Sequence, residues 1–260
     1  MAEFSVTRPL LESVRDNKQS WLVVQGGLKC AQVGMLCAAA GFAITILLTL
    51  AASSYTSPGA AALVALVGGV TCAVGMVLVG IGLVQCLLVP HAPSRTLLLA
   101  GFLLGIYATH ISTYDLFRVL QSGSSDAAEW IRKEMQSSQM RTIVLTSGAN
   151  LLVVGALLSL AAFLGSKDGV KRVQALWKLQ FGGGALFVAL SFSMGAISVW
   201  LDLQFIVPVL LLVLTALFVA GVLWFQATVL IQLRTDLGRV IGYHDRKLAD
   251  VRAKQQAVEA

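Results

Sequence analysis

Apolar runs of about 20 residues or more, each long enough to cross a bilayer as a helix, recur along this chain and limit what it can fold into. Six are read, at residues 29–52, 61–89, 96–119, 142–164, 181–201 and 205–232. The breaks between them are concrete. Pro58 and Gly59 are turn residues, and Pro90 and Pro93 cannot continue a helix. Residues 122–141 are polar, residues 165–180 are basic, and residues 200–204 form a tight turn. The longest gap is about 20 residues, so no sizeable soluble domain fits between the runs. Only 12% of the residues are charged, roughly half the share of a soluble domain. The expected fold is all-α, a polytopic membrane helix bundle with six transmembrane helices and a cytosolic C-terminal helical extension. Its parts are a cytosolic N-terminal segment (1–28), the bundle (29–232) and a cytosolic amphipathic C-terminal helix (233–260).

The net charge of +6 does not point to nucleic acid. The basic residues flank the apolar runs, and no aromatic-basic platform lies among them. They read as topology signals. With both termini cytosolic, fifteen Lys and Arg fall inside and only Arg118, Arg132, Lys133 and Arg141 fall outside, the bias expected of a multi-pass cell-membrane protein. The first twenty residues do not read as a cleaved leader, because Glu3, Glu12 and Asp16 interrupt them and no short apolar core precedes a cleavage site. Cys30, Cys37, Cys72 and Cys86 fall in or beside apolar runs without a CxxC pair, and are expected as small buried thiols.

Two flanking segments have helical spacing. Asp126 and Glu129 have capping-box spacing for a short outer helix, with a solvated connector as the other reading. In the tail, Leu237, Ile241, His244, Leu248, Val251, Gln255 and Val258 alternate at four and three residues, a heptad seam. This seam is expected to dock on a partner or on the bundle's own inner segments rather than to pair with itself. A faint repeat relates residues 14–27 to 170–183, each placing Trp five residues before a Gly pair; duplication and chance both account for it.

The densest polar stretch inside a run is YATHISTYDLFR, residues 107–118. On a helix, Tyr107, His110, Tyr114 and Arg118 fall within about 80° of one another. Gly101, Gly105, Ala108 and Ser112 form a separate stripe whose GxxxG pair suits close helix packing. Asp115 lies between the stripes and can pair with Arg118. If the run enters near Thr96, His110 sits roughly 21 Å along it, past the middle of a hydrocarbon layer of about 30 Å. An ionisable group there should face protein or a wet cavity. Asn150 on the fourth run is placed at similar depth. Tyr107, His110, Tyr114, Asp115, Arg118 and Asn150 therefore form the candidate intramembrane polar site, either functional or a structural hydrogen bond. Gln32, Gln85, Gln226 and Gln232 are single amides of the kind that stitch helices together. Small residues at Gly34, Ala38 and Gly41, at Gly69 and Ala73, and at Gly182 to Gly184 call for tight packing rather than a wide pore.

No HExxH, Walker A or GxSxG motif occurs, and no catalytic residue, cofactor or metal is expected. Two function classes follow. The first is a non-catalytic accessory, scaffold or assembly subunit, whose partners are the lipid bilayer and a protein or a second copy met through membrane helices or the C-terminal helix. The second is a small-molecule or ion transport component built on the third span. A membrane enzyme using His110 with Tyr107 or Asp115 ranks last, since no nucleophile or metal is supplied beside them.

Overall fold

The computed structural model describes residues 8–54, 58–121, 127–186 and 206–259. All of its elements are helices: α1 (Arg8–Asp16), α2 (Lys18–Ser54), α3 (Pro58–Cys86), α4 (Ala92–Gln121), α5 (Ala127–Phe163), α6 (Lys167–Lys178), a π turn (Leu179–Gly183) and α7 (Ile206–Glu259). Among the described residues, five stretches are long and apolar enough to cross a membrane: Lys18–Ile44, Leu66–Cys86, Ala92–Ile111, Val144–Phe163 and Leu217–Gln256. Helices keep every backbone N–H and C=O bonded within one segment, which hydrocarbon demands. The run expected at 181–201 lies mostly outside the described residues.

The chain divides into two compact units, His91–Leu160 and the remainder. In the larger unit α2 packs on both α3 and α7. The contact with α3 is antiparallel and built on glycine. Gly27, Gly34 and Gly41 recur at heptad spacing on α2, and Gly68, Gly75 and Gly82 do so on α3. A Cβ on Gly34 would lie 2.6 Å from the Gly75 carbonyl, one on Gly41 would lie 2.6 Å from the Cys72 nitrogen, and one on Gly75 would lie 2.5 Å from the Ala38 nitrogen. A Cβ on Gly82 would likewise meet the Ala31 nitrogen at 2.5 Å. The two backbones touch, so no larger residue fits. The small face of α3 therefore differs from the expected one. Gly69 meets nothing within 4 Å and Ala73 is exposed. The contacting row begins one residue earlier, a rotation of about 100° about the helix axis.

The other side of α2 takes α7, again antiparallel. Gln25 lies against Gly238, Arg234 Nη1 donates to Gln32 Oε1 at 3.5 Å, and Lys18 pairs with Asp245 at 2.6 Å. Helix α1 lies against α2 and α7 and buries Leu10 and Val14 completely. Trp21 is fully buried beside them; its Nε1 donates to Ser13 Oγ at 3.2 Å. Its ring stacks on Phe163 at 6.1 Å. Leu10, Val14, Trp21, Val24 and Leu28 thus form part of the packed core. The repeat noted in the sequence is not repeated in environment, since Trp177 is exposed.

The smaller unit pairs α4 with α5, antiparallel. Gly101 faces Ala149 and Val153, with Cβ distances of 3.0 and 3.1 Å, and Ala108 is 3% exposed. Both belong to the small stripe expected to pack. Helix α5 begins at Ala127 and runs unbroken to Phe163. The short outer helix expected after Asp126, which itself lies outside the described residues, is its first turns. Residues 127–147 contain no Gly or Pro, so nothing stops the helix from continuing into the apolar run.

The glycine contact makes a direct comparison available. Gly75→Leu should destabilise the protein by roughly 3 kcal/mol or more, because backbone must separate to admit the side chain. Gly69→Leu should leave stability within about 0.5 kcal/mol or raise it. Thermal unfolding of both variants in one detergent, followed by circular dichroism, measures the difference.

Candidate functional site

The most enclosed polar cluster forms where α5 turns into α6 and meets α7. Helix α5 ends at Gly165, whose φ of 68° is open to glycine at little steric cost. Gly165 N–H donates to the Ala162 carbonyl at 3.0 Å, and Ser166 N–H to the Ala161 carbonyl at 3.0 Å, the paired bonds of a Schellman end. Ser166 then serves at once as the N-cap of α6: its Oγ accepts the Gly169 N–H at 2.9 Å. A Cβ on Gly169 would lie 2.6 Å from that Oγ, so Gly165, Ser166 and Gly169 admit little change while Lys167 and Asp168 between them are exposed. Asp168 in the first turn complements the helix dipole.

The Ser166 hydroxyl donates in turn to Asp236 Oδ2. Asp236 is 2% exposed. Gln232 Nε2 donates to its two oxygens at 3.1 and 3.0 Å, and Arg239 Nη1 approaches Oδ1 at 3.4 Å. A buried carboxylate is tolerated when its lone pairs are met by donors of this kind. The hydroxyl is engaged on both sides and enclosed, so the arrangement fastens α6 to α7.

One helical stretch further along α7, Asp245 receives Lys18 at 2.6 Å, both about half-exposed. The hydrogen bond from Lys18 is the first cause that holds the Asp245 carboxyl below its ordinary range. Any stability from this pair is present above the unfolded carboxyl pKa and is lost as pH falls through the lower folded value. His244 beside it is 7% exposed. Its Nδ1 lies 3.7 Å from Asp245 Oδ1 and makes no hydrogen bond. In the turn before α4, His91 Nδ1 and Ser94 Oγ are 2.8 Å apart, and burial lowers the imidazole pKa.

Tyr107, His110, Tyr114, Asp115 and Arg118 all lie on α4, and Asn150 lies on α5. Tyr107 is 56% exposed; His110 and Asn150 are exposed as well. The side chains of Tyr114, Asp115 and Arg118 lie outside the described residues. His110 occupies the face of α4 opposite Gly101 and Ala108. The register of α4 on α5 also separates it from Asn150. Leu97 meets Gly155 and Leu104 meets Gly148, which places Asn150 level with Gly101 to Leu103. His110 is about 12 Å further along the axis. The two were expected at one depth.

Among the amides, Gln32 joins α2 to α7, and Gln232 braces Asp236. Asp236 is not among the sequence candidates because it falls just beyond the last apolar run, where an acidic residue reads as solvated. Its signal was its position four residues after Gln232, one helical turn on. Among the described residues no three His, Cys, Asp or Glu side chains gather as metal ligands would, and the four cysteines are free thiols. No protein-family model, curated protein or solved structure matches this chain.

Asp236→Ala removes the acceptor shared by Ser166 and Gln232. Hydrogen bonds to a charged group contribute about 1.5–3 kcal/mol, so the variant should lose stability by roughly that amount. Asp245→Ala, at the half-exposed pair, should lose much less. Unfolding temperatures of the two variants in one detergent test the ranking, and equal losses would contradict it.

Proposed function

We propose that the chain is a non-catalytic integral membrane protein of the cell membrane, an accessory, scaffold or assembly subunit of a membrane complex. It has six spans, both termini are cytosolic, and α7 runs past the membrane as a contact arm. The observation that carries the reading is the division of the α7 seam. Leu237, Val240, Ile241 and His244 are buried within the chain, whereas Leu248 and Val251 continue the same seam at 40% and 48% exposure. Apolar residues kept in register beyond the last buried seam position are what a partner helix or groove would take up. The polar groups described with burial act between elements of the chain, as clamps.

The seam also decides how the arm can be removed. Truncation after Thr235 would strip Leu237, Val240 and Ile241 from the core and unfold it, so an arm deletion must begin later. A chain ending at Lys247 should keep its unfolding temperature within a few degrees. Extracted from its membrane in polymer-bounded discs, it should run at its own size, while the full chain runs in a larger complex. A truncated chain that keeps the whole complex would remove the case for the arm.

The second reading, a small-molecule or ion transport component, is supported by Tyr107 and His110 on one face of a span. Loss of flux in vesicles carrying His110→Leu, with the complex intact, would favour it.

Topology has its own check. In a chain with Cys30, Cys37, Cys72 and Cys86 replaced, an impermeant thiol reagent should label Ser57→Cys and Ser124→Cys from outside. Lys167→Cys, exposed on α6, should be labelled only after the membrane is opened. Outside labelling at 167 would reverse or break the six-span order.

A further inference from the structure

Among the described residues, four cations on α6 have no counter-ion. Lys167, Lys171, Arg172 and Lys178 are all exposed, and no carboxylate described here pairs with them. Elsewhere in this unit Lys18 is taken up by Asp245, Arg239 by Asp236 and Arg234 by Gln32, whereas Lys29, Lys247 and Lys254 stand exposed as the α6 cations do; what sets the α6 group apart is its clustering on one helix face. At 100° per residue, Lys167, Lys171 and Lys178 fall within about 40° of one another. Gly169, Val173 and Leu176 are buried on the other side, where Leu233 of α7 lies close to Gly169. Helix α6 is therefore fixed by one face and displays cations on the opposite one.

The C-terminal end of α6 carries a different chemistry. The helix passes through the π turn Leu179–Gly183 into helical residues 184–186. Trp177, Leu179, Phe181 and Leu186 are exposed there at 41%, 37%, 45% and 62%. The Trp177 and Phe181 rings meet at 4.9 Å. Exposed aromatic rings at the start of an apolar run belong to the membrane–water boundary. Lys178 then sits at that boundary, and Lys171 lies about 10 Å back along the axis. The headgroup layer is roughly 5–8 Å deep on each side, within reach of a lysine stem extended toward it.

We propose that this face of α6 binds the headgroups of anionic phospholipids, with Trp177 and Phe181 at the acyl boundary and Lys171 and Lys178 over the phosphates. The inference rests on the membrane reading of residues 181–201. An acidic protein surface would satisfy the cations alone; the apolar ring pair continuous with them fits a lipid surface.

Brominated lipids, which quench tryptophan on contact, supply the test. The full chain is placed in two vesicle preparations of identical composition, one quarter phosphatidylglycerol and the rest phosphatidylcholine. Bromine is carried by the phosphatidylglycerol in one and by an equal mole fraction of phosphatidylcholine in the other. Subtracting the signal of Trp177→Phe isolates Trp177. Quenching in either preparation reports insertion, and its absence in both overturns the membrane reading and this inference with it. The ratio between preparations reports headgroup choice. It should exceed unity by roughly twofold or more, given the attraction of each lysine to an anionic surface, and fall toward unity in high salt. Replacing Lys171 and Lys178 by Gln should abolish the preference, and replacing them by Arg should keep it. A ratio of one in the wild-type chain, or a preference indifferent to salt, overturns the proposal even if the Gln variant fails to insert.

Discussion

Two helices can lie backbone against backbone only where neither carries a side chain in the gap, and the α2–α3 contact depends on that condition. Lipid tails are as apolar as leucine, so burying leucine between helices gains little within a membrane; close packing supplies the attraction instead. Removing Cβ at Gly27, Gly34 and Gly41, and at Gly75 and Gly82 opposite, brings each helix within contact of the other's carbonyls and nitrogens. Such proximity also admits weak Cα–H···O contacts. With α3 held on one side of α2, the other side is free to take α7, and α1 closes over both. Trp21 lies fully buried where these elements meet, fixed by Ser13 and Phe163.

Toward the charged ends of the helices, different forces take over. Here the clamp is ionic and directional: Ser166 caps α6 and donates to Asp236, and Lys18 reaches Asp245. The two clamps differ in burial. Asp236 is sealed from water and needs each of its donors, whereas the Lys18–Asp245 pair is open to solvent and salt. The GSKDG turn explains why the buried clamp forms at all. A left-handed glycine ends α5, and the next residue begins α6, so Ser166 is held in place by two helix termini before it meets α7.

Much of this architecture was legible in the apolar runs, because length and composition alone mark a spanning helix. The polar breaks were less legible, because polarity does not distinguish a loop from a helix in water. Residues 167–178 read as a basic connector but form an amphipathic helix, with Gly169, Val173 and Leu176 buried at helical spacing. Residues 127–141 read as a separate outer helix, although only a Gly or Pro would have divided them from the run that follows. The glycine heptads were present in the sequence, but small residues occur on more than one face of α3, and periodicity does not say which face meets a partner. Gly69 and Ala73 are as regularly spaced as the row that makes the contact. The polar face of α4 was read from angle, and only Tyr107 and His110 of it have described side chains, both exposed. The level of Asn150 was read from depth, whereas the α4–α5 register sets it beside Gly101 to Leu103, since depth read from a run depends on where each helix begins.

Helix α7 joins these regimes in one element. Its 54 residues extend about 81 Å, more than twice the thickness of the hydrocarbon. Isolated helix in water is held mainly by tertiary packing, so the polar portion needs a surface. Helices α1 and α2 supply one as far as His244, which explains why the heptad pattern continues without interruption past Gln232. The seam then changes owner. His244 is buried with an unbonded nitrogen, and the next seam positions, Leu248 and Val251, lie open. A polar ring at the last buried position weakens the intrachain contact there, as a polar residue does in a coiled-coil core. The break in burial therefore falls where the seam itself is weakest.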